Sequence, residues 1–276
     1  MQEFRREDIP KTVFKYRRFD EEGRSLRLIS HSELWFASPR TFNDPFDAST
    51  TYNFDDPTGA LVDRWSIEAI DRMYPASSPI ERAVFRQSRL PLFRDRDYLE
   101  KTRRKFVEQD YNDFGICSLA GSCDNSLMWS HYADSHKGFC VGLSGIELIR
   151  FCAEMYIDGV LIDFEKVDYS IGPPKLNFFE SMIAVYTDNK REILRLYKTK
   201  SDRWNYEEEW RMILWRSDQR AYDIGFGAIT DVYLGCRISS ANMKKILNLC
   251  RKHIPSAKLY QARPNDTNYD LDFDPM

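Results

Sequence analysis

Val, Phe and Tyr alternate with polar residues through TVFKYRRF (12–19), a period of two that predicts a half-buried strand. SLRLISHSELWFASP (25–39) predicts a short helix feeding a strand at Leu34–Ala37, stopped by Pro39. TFNDPFDAST (41–50) packs Asn, Asp and Pro around two phenylalanines and reads as a turn pinned against the body of the protein. From 56 to about 112 the period becomes helical (Trp65, Ile67, Ile70, Met73, then Leu99 and Phe106) among many Arg, Asp and Glu. Pro75, Pro79 and Pro91 divide this stretch into two or three helices, and we read it as a helical insertion.

The strand pattern returns at FGICSLA (114–120), followed by a GSCDNS turn. LMWSHYADSHKG (127–138) predicts a short helix closed by Gly138, and FCVGLS (139–144) a further strand. A helix near 145–156 and a strand near 159–169 come next. Phe179, Met182, Ile183 and Tyr186, continued by Ile193, Leu194 and Tyr197, mark one face of a long helix near 176–200. YEEEWRMILWR (206–216) and AITDVYLGCRI (228–238) predict strands. Ser239 or Ser240 caps a helix carrying Met243, Ile246, Leu247 and Cys250, and AKLYQA (257–262) is a last strand. The sum is an α+β fold: a mixed or antiparallel central sheet with helices packed on it, in one domain over 1–264 with the insertion at about 56–112. Residues 265–276 read as a mobile acidic tail.

Composition narrows the function. Forty Lys+Arg against forty-three Asp+Glu give a net charge of −3, so no global positive charge favours nucleic acid. No apolar run approaches the ~20 residues of a membrane helix, and the N-terminus is too charged for a signal peptide. The six cysteines form no C-x-x-C pair and several lie in apolar runs, which predicts small buried hydrophobes in a cytoplasmic protein. Walker, G-x-G-x-x-G, G-x-S-x-G and H-E-x-x-H signatures are absent.

Three stretches carry candidate chemistry. MWSHYADSHKG (128–138) gathers Trp129, His131, Tyr132, Asp134 and His136; the histidines are five apart rather than the four a zinc pair on a helix wants, so no metal is expected. Its bland reading is core aromatics with histidines satisfying backbone groups. In WNYEEEWR (204–211), a strand period would put Glu207, Glu209 and Arg211 on one face. Paired carboxylates there bind sugar hydroxyls or stabilise developing positive charge, or else simply pair with Arg211, Lys198 or Lys200. In FNDPFD (42–47), Asn43 or Asp44 either presents itself to a ligand beside Phe42 or Phe46, or only shapes the turn.

With VFKYRRF (13–19), LWFASPRTFNDPFD (34–47) and VYLGCRIS (232–239), these motifs resemble a widespread bacterial family classed as a domain of unknown function. A looser resemblance is to ADP-ribosyltransferases of the Arg–Ser–Glu type: Arg17 (or Arg18) ends the first strand, Ser118 lies on a middle strand, and Glu207-x-Glu209 on a later one. Two departures are that Ser118 precedes Leu119 rather than Thr-Ser, and that Arg17 has an equally basic neighbour. The resemblance implies a split sheet, NAD as substrate and an acceptor macromolecule, as in bacterial toxins and defence effectors. Glu209 would stabilise the oxocarbenium-like ribose, Glu207 would position or deprotonate the acceptor, and Arg17 would hold a phosphate. Tyr132 or Trp129 would stack on nicotinamide, with Ser118, His131, Asn43 and Asp44 completing the cofactor-binding set. Glu209→Gln is then expected to abolish turnover with little loss of stability. Alternatives are an NAD glycohydrolase, a non-catalytic regulatory module binding a nucleotide-type small molecule, and a Mg²⁺ nuclease built on Asp44, Asp47, Glu207 and Glu209.

Overall fold

Residues 9–48, 51–157, 162–186, 197–215 and 220–276 are described by a computed structural model. The elements follow in chain order β1 (Thr12–Arg17), α1 (Arg27–Ser30), β2 (Glu33–Phe36), β3 (Thr51–Asn53), α2 (Ala60–Met73), α3 (Pro79–Arg94) and α4 (Arg96–Asp113). Next are β4 (Phe114–Leu119), α5 (Ser126–Tyr132), β5 (Phe139–Ser144), α6 (Gly145–Ile157), β6 (Ile162–Lys166), β7 (Asp168–Ser170), β8 (Lys175–Asn177) and α7 (Phe178–Tyr186). The chain ends with β9 (Thr199–Ser201), a 3₁₀ helix (Asp202–Glu207), β10 (Trp210–Trp215), β11 (Arg220–Asp223), β12 (Ile229–Leu234), α8 (Ser240–His253), β13 (Lys258–Pro264) and β14 (Leu271–Pro275). This is an α+β fold.

Contacts divide the chain into two compact units, the first comprising 1–38, 114–167 and 203–276, the second 39–113 and 168–202. The helical stretch read as an insertion thus belongs to a unit that also takes in the FNDPFD turn and α7.

In the first unit, β1-β5-β12-β13-β14 form a mixed five-stranded sheet and β4-β10-β6 an antiparallel three-stranded one. The two sheets touch where Phe14 and Ala120 exchange both backbone hydrogen bonds, at 2.9 and 2.7 Å. Among the described residues β1 and β4 pair nowhere else, so the sheet is split between them. Hydrocarbon from both sheets fills one core: Val13, Val141, Leu143, Val232 and Leu234 from one, Cys117, Leu119, Met212, Leu214, Ile162 and Phe164 from the other. Buried area of this kind dominates stability.

In the second unit Trp65, Phe93, Phe178 and Phe179 stack on one another, Trp65 and Phe93 with centroids 4.7 Å apart. Helix α3 starts at a capping box: the Ser78 hydroxyl accepts from Glu81 N and the Glu81 carboxylate accepts from Ser78 N, with Pro79 at the first helical position. Pro91 does not end it; the helix runs on to Arg94.

Three elements differ from the sequence pattern. Of the helix predicted near 176–200, the start is strand β8, α7 runs from Phe178 to Tyr186 and β9 begins at Thr199, while 187–196, with Ile193 and Leu194, lie outside the described residues. YEEEWR is not all strand: Glu207 ends the 3₁₀ helix, Glu208 adopts φ +47°, and β10 begins only at Trp210. Residues 271–275 of the acidic tail form β14, where Arg263 neutralises Asp272 and Asp274 at 2.7 and 3.2 Å.

Candidate functional site

Antiparallel pairing puts Arg211 of β10 directly opposite Ser118 of β4 on one side and Glu165 of β6 on the other. Cross-strand partners share a face, so these three form a polar row on the side of the sheet that turns away from Cys117, Met212 and Phe164. Glu209 joins this face. Its carboxylate accepts two hydrogen bonds from Arg211, from Nε at 2.7 Å and Nη2 at 3.1 Å, with the two residues 1 % and 0 % exposed. This fork holds the carboxylate in one orientation.

Glu207, also buried, is held differently. The left-handed turn at Glu208 swings it off the strand, and its Oε1 accepts a 2.8 Å hydrogen bond from the Tyr132 hydroxyl. Helix α5, which carries Tyr132, is fixed at its start: Asn125 Oδ1 accepts from Leu127 N and Met128 N, while Asn125 Nδ2 donates to Tyr206 O at 2.8 Å. Gly121 N donates to Glu207 O, so the two motifs are sewn together by backbone and side chain alike.

Lys15 was not singled out from sequence. Its ammonium donates to Ser118 O at 2.5 Å across the split in the sheet. Burial pushes this ammonium down, the Cys117 thiol opposes that shift, Arg17 adds to it and Glu209 opposes it. The available signal was alternation: Lys15 and Arg17 share the face of Val13 on β1.

That same alternation separates Arg17 from Ser118. Arg17 lies on the core side near Cys117, with its Nε buried and unbonded, and burial lowers its pKa while Cys117 and Asp20 oppose the shift. Ser118 lies on the opposite face, and Arg18, past the end of β1, is exposed. Of the other predicted positions, Trp129 is fully buried, edge-on to Tyr16 at 5.3 Å and donating from Nε1 to Cys123 O, which is the bland core reading. His131 is exposed beside the Tyr132 ring. Asn43 and Asp44 belong to the second unit, where Asp44 accepts from Phe46 N at 2.8 Å and shapes the turn. Tyr132, Ser118, Glu207 and Glu209 are therefore the predicted residues drawn to one part of the first unit, and the expectation that Glu209→Gln costs little stability does not survive the buried pair with Arg211.

Among the described residues no group of three His, Cys, Asp or Glu is placed to hold a metal ion, and no helix is long and apolar enough to cross a membrane. No curated protein and no solved structure matches the chain. Residues 128–212, from α5 into β10, match the family described as a protein of unknown function, DUF2971, and so carry the domain-of-unknown-function resemblance over the stretch that builds this site.

Proposed function

We propose that the protein is an NAD-using ribosyl-transfer enzyme. What supports the reading is the strand order: β1 with Arg17, β4 with Ser118 and β10 with Glu209 before it are consecutive neighbours, at the point where the sheet splits. Glu209, kept as an aimed carboxylate by Arg211, stabilises the positive charge that develops on the ribose. The bond from C1′ to nicotinamide breaks with its electron pair leaving on the ring, the acceptor bonds to C1′, and the acceptor's proton passes to Glu207. Tyr132, donating to Glu207, sets the orientation of that carboxylate. Phosphate contact falls to Arg18, the exposed member of the basic pair at the end of β1, since Arg17 is turned to the core side. Purified protein incubated with NAD should release nicotinamide, Glu207→Gln should not, and EDTA should leave the rate unchanged.

A second reading has its own observation. Both oxygens of Glu209 are engaged by Arg211, as expected if the motif closes a non-catalytic regulatory module around a small ligand. That reading predicts thermal stabilisation by NAD with no nicotinamide formed.

A further inference from the structure

A cleft of about 830 Å³ in the first unit lies apart from Glu207 and Glu209, lined by Ser126, His136, Cys236, Arg237 and the β13–β14 hairpin from Pro264 to Leu271. Its volume is that of a small-ligand site. One wall is held in an uncommon backbone: Asp134, Ser135 and His136 are consecutive non-glycine residues at φ 47°, 51° and 69°. Such a backbone is costly for residues with a Cβ, and the surroundings enforce it. His136 O accepts from Arg237 N at 3.0 Å, and Gly235 N donates to Gly138 O at 3.0 Å. A Cβ at Gly235 would lie 2.2 Å from His136 O, so only glycine permits this approach.

The chemistry of the walls is threefold. Arg237 makes no ion pair with a described residue, and in His136 beside it Nε2 lies 3.3 Å from the Ser130 hydroxyl while Nδ1 is buried without a partner. Burial and then Arg237 lower the His136 pKa, which favours a neutral ring with one nitrogen to donate and one to accept. On the hairpin, Asp272 and Asp274 are taken by Arg263, whereas Asp266 and Asp270, which line the cleft, form no ion pair with a described residue. Between them in sequence Tyr269 is 97 % exposed, an aromatic ring with no packing role.

We infer that this cleft binds a nucleoside monophosphate. A phosphate suits Arg237 and the donor nitrogen of His136, a ribose diol suits acceptor carboxylates such as Asp266 and Asp270, and a planar base suits the bare ring of Tyr269. Simple anions leave the carboxylates repelled and simple cations meet Arg237, so a ligand carrying all three groups fits best. The inference stands independently of the ribosyl-transfer reading.

Calorimetric titration of the full chain with AMP tests it. One site is expected, with affinity falling about tenfold or more in Arg237→Ala and in Tyr269→Ala, each an exposed residue. Adenosine should bind at least about tenfold more weakly than AMP, and Glu207→Gln should bind AMP like the wild type. Absence of AMP binding, unchanged affinity in either the Arg237 or the Tyr269 variant, or loss of binding in Glu207→Gln would overturn it. Nicotinamide release, read separately, reports on the other site.

Discussion

Two motifs that look alike in sequence, FNDPFD and YEEEWR, use their acidic residues differently. In the first, Asp44 shapes the turn and Asp47 makes a buried ion pair with Lys200 of β9 at 3.6 Å, a partner 153 residues away. In the second, Glu209 is forked by Arg211 two residues on, and the neighbouring Glu207 accepts from the Tyr132 phenol. A distant partner for a carboxylate ties two pieces of chain together and reads as architecture. A local fork beside a separately held second carboxylate gives two acids of unlike environment, the arrangement that acid–base chemistry uses.

The largest effect expected from this contrast is on the fork. Arg211→Leu should lower stability by about 3–5 kcal/mol in denaturant unfolding, because it strips a buried carboxylate of its bidentate cation. Adding Glu209→Leu should recover part of that loss, and full additivity would show the two side chains to be uncoupled. Asp47→Asn should cost less, about 1–3 kcal/mol by the same measurement, since the amide keeps a hydrogen-bond acceptor and the contact with Lys200 is the longer one, at 3.6 Å. Tyr132→Phe removes one hydrogen bond to Glu207 and should cost about 0.5–1.5 kcal/mol while changing the pH profile of any turnover.

The smallest effect is on pH dependence. The His136 pKa in the folded protein lies below its ordinary 6.5, because burial and then Arg237 disfavour the charged ring. Between the two values the unfolded chain binds more protons, so stability falls as pH drops below about 6.5 and the full penalty is reached below the folded value. His136→Asn, which tolerates the left-handed backbone, should flatten that part of a melting-temperature profile without altering it above neutral pH.

Much of the fold was legible because alternation and helical spacing survive where one face is buried. TVFKYR, FGICSL, FCVGLS and ITDVYL all became strands, and Ser239 caps α8 by accepting from Asn242 N. What failed had a local cause. A run of YEEEWR looks like continuous strand until Glu208 turns left-handed, and no residue type there announces it. The acidic tail reads as mobile because the compensation for its charge comes from Arg263 on the preceding strand. The candidate-site residues stand out as motifs, but their grouping needed the register: the pairing of Arg211 with Ser118 and Glu165 shows which face the residue that forks Glu209 shares with its neighbours. Lys15 was missed because a lysine in an alternating strand reads as its wet side.

Nicotinamide released from NAD, followed by chromatography for the wild type, Glu207→Gln and Glu209→Gln with melting temperatures measured in parallel, tests the proposed chemistry most directly. The account predicts release by the wild type, none by Glu207→Gln at a melting temperature close to the wild type's, and none by Glu209→Gln with a lowered one. Release at the wild-type rate by folded Glu207→Gln and Glu209→Gln proteins would contradict it.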